Sequence, residues 1–408
     1  RRLLRAERSE QSSVERMFAI LRVKGGPKRV NHAAASVGSR VFSFGGYCSA
    51  ESDNVNRPLQ VHVFDIRTLQ WSAVIYSEDS SVIDPLFQRY GHTVSAHNDS
   101  IYMFGGRNEL GACNALYKFN TVSYVWSQPK VKGFIPSARD GHSSCVIDDC
   151  MFVFGGLDDN FEMLSQSLYC LNLRTLVWTL VKTYGVPPSP RDFHTASNVD
   201  GRMYVFGGRS NNQGTANFHE IYESTVYCLD TSKMTWNSPF VSGEIPTGRR
   251  SHSAFVSNGK MYIFGGYNGN IKQHFNDLHC FDTQTSTWHS IKIKGRKIPC
   301  PRRRQCLCLI DNRVYIFGGT SPRVDIPLMN LSPLAEERLL NDHSDLYVID
   351  IFPSLRTLCL ITVLENNLET RFLPQEIVNE IKTMISSETK RKKTNNTSSI
   401  YNTHFEVQ

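Results

Sequence analysis

A Gly-Gly pair follows a short apolar run six times along this chain, at Gly45-Gly46, Gly105-Gly106, Gly155-Gly156, Gly207-Gly208, Gly265-Gly266 and Gly318-Gly319. The intervals are 60, 50, 52, 58 and 53 residues. A recurrence of this length constrains the fold more than any other feature. Each unit must be one supersecondary module that buries its faces only by stacking on its neighbours. The runs before the glycines are RVFSF, SIYMF, CMFVF, RMYVF, KMYIF and RVYIF. Their β-branched and aromatic content reads as strand.

Further features keep step with the glycines. A His lies 13 residues before each of the first five pairs, at His32, His92, His142, His194 and His252, and Gln305 takes the sixth place. Three residues earlier stands an Arg in all six: Arg29, Arg89, Arg139, Arg191, Arg249 and Arg302. An Asp or Asn precedes a Trp by six residues in five units: Asp65/Trp71, Asn120/Trp126, Asn172/Trp178, Asp230/Trp236 and Asp282/Trp288. Each unit therefore supplies four short strands and no helix. Together they predict an all-β ring, a six-bladed β-propeller that resembles the kelch type. Gly suits close backbone approach, and the Trp is expected to pack between blades.

The sixth unit has the strand DLYVID but no Trp. The stretch MFAILRVKG at the N-terminus aligns with TWHSIKIKG, with Phe18 in the Trp place and Gly25 matching Gly295. Residues 17–24 are thus expected to form the outer strand of blade six and to remove a free sheet edge. This divides the chain into a flexible basic tail (1–16), the propeller (17–352), a short helical segment (353–385) and a disordered tail (386–408).

The helical segment carries two patterns. Leu355, Cys359 and Val363 fall at i, i+4 and i+8 on one helix face, with Ser354 as N-cap. Ten residues on, Leu373-Pro374 precedes Ile377 and Ile381, with Pro at a first helical turn. The first pattern resembles an elongin-binding box and the second a cullin-2 box. A cullin-5 box would be expected to carry a second Pro where Glu376 stands. Taken singly, either helix reads as ordinary packing against the propeller side. In this order after a closed ring, with GRRSHSAF, PRRRQC, FGGTSP and HSDL in the last blades, they resemble the kelch-repeat substrate receptors of cullin-2 RING ubiquitin ligases. That resemblance, over about residues 17–385, implies a non-catalytic adaptor. It would dock elongin B/C and cullin-2 with its RING subunit, and read C-terminal degrons, commonly ending in Gly, on substrate proteins.

Propeller geometry suggests where a chain end would bind. The start of each first strand and the end of each second strand lie on one face. That face gathers Tyr90, Asp140, Asp192, Phe193, Arg250, Ser251, Arg303 and Arg304, joined by Arg107, Arg209 and Tyr267 from the Gly-Gly side. Arg suits a carboxylate by paired hydrogen bonds. The resemblance puts a carboxylate-holding Arg just after the fourth Gly-Gly, at Arg209. Arg250, Ser251, Arg303 and Arg304 complete the spatial candidates, and Asp140 and Asp192 are candidates for a basic residue upstream in the peptide. The recurring Arg and His are expected to be architectural.

The net charge of +7 invites a nucleic-acid reading, but residues 1–16 hold +2 and residues 386–408, with the run Lys390-Arg391-Lys392-Lys393, another +2. Such a run is an import signal or merely solvated charge. The start, RRLLRAERSEQSS, lacks the apolar segment of a secretory signal. With eleven Cys at strand-like positions, a cytoplasmic protein is expected, nuclear residence being left open, and no membrane span. Cys300, Cys306 and Cys308 lack zinc-site spacing, and no metal or cofactor is expected. The alternative function is a kelch scaffold for chromatin or cytoskeletal proteins. A propeller enzyme ranks last, since neither a metal centre nor paired catalytic carboxylates are discernible.

Overall fold

The computed structural model describes residues 17–23, 26–51, 56–211, 219–294, 298–323, 339–379 and 381. The expected tails, 1–16 and 386–408, lie outside the described residues, as do Gly25 and Gly295.

Blade three illustrates the unit. Ser143–Ile147, Cys150–Phe154, Leu168–Asn172 and Val177–Leu180 pair antiparallel in sequence order. A two-residue strand from the preceding linker, Lys132–Gly133, adds parallel to the outer edge. The same four-plus-one arrangement recurs in blades two, four and five. In blade six, Cys306–Ile310, Arg313–Phe317 and Leu346–Asp350 are completed by Met17–Val23, which pairs antiparallel from Phe18↔Asp350 to Val23↔Leu346. The first strand of each blade packs against the first strands of both neighbours, Ala33–Val37 against Cys306–Ile310 included, so the ring is closed.

The repeated residues explain why these segments stack. Each Trp meets the Phe before the Gly-Gly of the preceding blade: Phe44–Trp126 at 5.6 Å, Phe104–Trp178 at 5.1 Å, Phe154–Trp236 at 5.3 Å and Phe206–Trp288 at 5.2 Å between ring centroids. Trp71 closes the sequence on Phe317 at 5.0 Å. Large tilted or edge-on rings between sheets bury much apolar area at each joint. The Asp or Asn before each Trp turns the chain between the third and fourth strands. Asn172 Oδ1, for example, accepts from the amides of Arg174 and Thr175 at 3.0 and 2.9 Å.

The Gly-Gly pair has two different duties. A Cβ on Gly155 (φ +68°) would lie 2.7 Å from the Arg191 carbonyl of the next blade. A Cβ on Gly156 (φ +89°) would lie 2.8 Å from the Asp140 carbonyl and the His142 Cβ of its own blade. One glycine admits the neighbour and the other admits the blade's own loop.

The recurring Arg is architectural. Arg139, Arg191, Arg249 and Arg302 are fully buried, and each donates Nη1 to the first Gly carbonyl of its own blade at 2.9 to 3.1 Å. Acids neutralise them: Asp158, Glu223, Asp277 and Asp345. Three of the histidines tie blades together through Nε2, His142 to Thr93, His194 to Ser143 and His252 to Thr195, at 2.7 to 2.9 Å. Burial, aided by the adjacent Arg, pushes His142 and His252 down to about 3, so both are neutral donors or acceptors at physiological pH. Cys306 and Cys308 are buried in the core shared by blades six and one.

After the ring, the helix Leu355–Glu365 begins on Ser354, whose Oγ accepts from the Thr357 amide at 3.1 Å. No helix among the described residues is long and apolar enough to cross a membrane.

Candidate functional site

The two residues between each recurring Arg and His divide the labour on one face. The first forms a bridge to the residue after its own Gly-Gly: Tyr90↔Arg107, Asp192↔Arg209, Arg250↔Tyr267 and Arg303↔Thr320, with Asp140↔Leu157 in blade three. The start of the first strand and the end of the second therefore meet, as the propeller reading predicts.

The second residue of each pair does something the sequence did not announce. Asn31, Gly91, Gly141, Phe193, Ser251 and Arg304 all take left-handed backbone angles, with φ between 52° and 67°. Their amides and carbonyls bond head to tail around the axis. Gly91 donates to Asn31, Gly141 to Gly91, Phe193 to Gly141, Ser251 to Phe193, Arg304 to Ser251 and Asn31 to Arg304, at 2.7 to 3.2 Å. The six peptide groups form a closed ring of hydrogen bonds, which satisfies backbone that would otherwise be stranded in the centre. Together with the five His and Gln305 they line an axial cavity of about 130 Å³. Ser251 and Arg304 are thus backbone members of this ring. The Arg304 side chain donates Nη1 to the Tyr47 hydroxyl at 2.8 Å.

Around this ring the charged candidates fall into two clusters. In the first, Arg107 donates Nη1 to Asp140 at 3.2 Å and Nη2 to Asp159 at 3.4 Å. In the second, Arg209 donates Nε to Asp192 at 3.1 Å and Nη1 to Glu220 at 3.2 Å, and its guanidinium lies 5.9 Å from the Phe193 ring at the rim of the cavity. Arg250 reaches the same Glu220 oxygen at 2.9 Å and sits beside the rings of Tyr222 and Tyr267. Arg303 is buried, its guanidinium 4.3 Å from the Tyr267 centroid.

Asp140 and Asp192 need correcting. Both are buried, and each serves as counter-ion to the Arg bridged or packed beside it rather than being displayed to a basic peptide residue. Burial, only partly offset by Arg107, pushes Asp140 up to about 6. The residues missed on this face are Tyr47, Glu220 and Tyr222. Tyr47 held a detectable position, directly after the first Gly-Gly. Glu220 and Tyr222 stand at the far end of the irregular blade-four loop, where no repeat offset applies.

The face can therefore offer guanidinium donors and aromatic rings to an anionic, partly apolar ligand. Residues 91–319 match the model of the KLHDC2/KLHL20/DRC7 Kelch-repeats domain. The chain belongs to the kelch-repeat family. Among curated kelch relatives, Kelch domain-containing protein 3 of Bos taurus is 43% identical over 373 residues, covering 90% of this chain and 95% of that protein. The Homo sapiens protein of the same name is 42% identical over equal shares. Host cell factor 2 of Homo sapiens is 32% identical over 249 residues, 57% of this chain and 31% of the relative.

The tail helix of this kelch protein presents its stripe outward. Leu355 is 77% exposed and Cys359 is exposed, with Val363 half-buried, while the neighbouring Leu360 and Ile361 are buried and anchor the helix. Further on, Pro374 opens a second helical turn, accepting from the Val378 amide at 3.1 Å. There Leu373 and Ile377 are half-buried and Ile381 is buried.

Proposed function

We propose that this kelch protein is the substrate-recognition subunit of a cullin-2 RING ubiquitin ligase. The ring face receives the C-terminus of a substrate protein, typically ending in Gly. The tail docks elongin B/C through Ser354, Leu355, Cys359 and Val363, and cullin-2 through Leu373, Pro374, Ile377 and Ile381. The chain itself acts as a tether. Ubiquitin transfer follows from holding the substrate at high effective concentration near the charged enzyme, and the modified substrate goes to the proteasome.

The observation that carries this reading is the outward stripe on the tail helix. A helix whose only role was to cover the propeller would turn Leu355 and Cys359 inward. Here Leu360 and Ile361 take that role, and a large apolar side chain is left to solvent beside the box pattern. The guanidinium-rich face supplies the complementary half, since a free carboxylate is what distinguishes a chain end from an internal segment.

The test is reconstitution. The purified protein is expected to form a stable complex with elongin B/C and cullin-2, and to bind peptides with a free C-terminus but not their amidated forms. A protein that binds internal segments equally well, and no elongin, would instead be a kelch scaffold.

A further inference from the structure

Resting on the reading that the ring face receives a chain's terminal carboxylate, we propose that Glu220 is a built-in competitor for it. Glu220 occupies a cage made by Arg209, Arg250 and Tyr222, and the ligand's carboxylate takes its place.

The cage has the composition of a carboxylate site. One Glu220 oxygen accepts from Arg209 Nη1 at 3.2 Å and from Arg250 Nη1 at 2.9 Å. The other accepts from the Tyr222 hydroxyl. Two guanidinium groups and a phenol converge on one carboxylate, the arrangement that a terminal carboxylate requires. The surroundings keep these donors in place without Glu220. Arg209 is held through its Nε edge by Asp192, and Arg250 lies beside the Tyr267 ring. Gly269 leaves the space, because a Cβ there would stand 2.7 Å from the Glu220 carboxylate and 2.8 Å from the Tyr222 hydroxyl.

Glu220 is also able to leave. Its side chain is 23% exposed, and it opens the short strand Glu220–Ile221 at the end of the blade-four loop. Burial alone would raise its pKa, yet Arg250, Tyr222 and Arg209 outweigh burial and hold it below the usual range, so the group is ionised when it competes.

The exchange has a consequence for selectivity. When one carboxylate replaces another, both guanidinium groups stay neutralised and the released Glu220 regains water. An amide end, or an internal peptide carbonyl, brings no charge and would leave the partly buried Arg250 without its counter-charge and Arg209 with Asp192 alone. The resident acid thus lowers affinity for every ligand and penalises uncharged ends most.

The experiment uses the full chain and a fluorescent peptide pool, randomised upstream of a terminal Gly, with free or amidated ends. Glu220→Gln is expected to bind the free-carboxylate pool about tenfold or more tighter than wild type, since a charge-assisted hydrogen-bond set no longer has to be displaced. Glu220→Ala should move the same way, and thermal melts confirm that both fold. Unchanged or weaker binding by both variants, with wild type still preferring free ends, overturns the competitor and leaves the C-terminus reading standing. If no form of the protein prefers free over amidated ends, the C-terminus reading falls and the competitor with it.

Discussion

Truncating Leu355 separates a helix that packs on the propeller from one that waits for a partner. The side chain is 77% exposed, while Leu360, five residues further on and on another face, is 4% exposed and Ile361 5%. Leu355→Ala removes almost no buried area from the isolated protein, so its stability should change by no more than about 0.5 kcal/mol. In a chain of 408 residues this is a shift in Tm of at most about 2 °C. In the complex the same Leu would be buried. Losing a buried Leu side chain costs about 1.5–3 kcal/mol in transfer alone, which weakens elongin binding roughly 10- to 150-fold. Leu355→Arg adds a charge to the same contact and should abolish the complex. The assay is titration calorimetry with elongin B/C alongside thermal melts of the free protein. A Tm drop of more than about 5 °C on Leu355→Ala, or undiminished elongin binding by Leu355→Arg, would refute the reasoning.

Other outcomes follow from the ring. Arg249→Met leaves Asp277 and the Gly265 carbonyl without the buried guanidinium that joins them. Because Asp277 is 35% exposed and keeps His279 as a partner, the loss should cost about 1–3 kcal/mol, mainly for the stranded carbonyl and the lost charge-assisted bonds, read as a reduced unfolding midpoint in urea. Asp140 is pushed up to about 6 by burial, against Arg107. A folded pKa raised above the unfolded value favours folding in full below about pH 4 and loses that contribution as pH rises through 6. The shift corresponds to at most roughly 3 kcal/mol. Asp140→Asn should therefore stabilise the protein relative to wild type more at pH 7.5 than at pH 4.5, in melts at both values. Gly155→Ala should destabilise strongly, because its Cβ would press to 2.7 Å from the Arg191 carbonyl. A mutant melting like wild type would show that the blade joint tolerates a shift.

What was legible in the sequence was whatever the ring repeats. Gly-Gly, the recurring Arg and His, and the Trp sit at fixed offsets because every blade must solve the same joint. The closure by Met17–Val23 was legible too, but its register was not: Phe18 pairs with Asp350 and Ala19 with Ile349, so Ala19 rather than Phe18 holds the place of the Trp, one residue off the alignment. The site is written in what does not repeat. Phe193, Ser251 and Arg304 adopt left-handed backbone without being Gly, held there by bonds from neighbouring blades, so no local pattern marks them. Asp140 and Asp192 looked like exposed ligands because their offsets place them on the right face. Only their pairing with Arg107 and Arg209 reveals them as buried counter-ions. Glu220 pairs with Arg250 thirty residues away, across a loop with no repeat register at all.

The strand that completes blade six has a consequence in time. Its partner, Leu346–Asp350, lies about 320 residues downstream. At roughly 5–20 residues per second of synthesis, the N-terminal strand waits about 15 to 60 s for the edge it will join. Blades one to five can form in order as they emerge, but the circle is sealed only when a strand made before blade one meets an edge made about 320 residues later. A nascent chain stopped short of Leu346 would carry stacked blades and an unjoined edge, the species most exposed to mispairing with another chain.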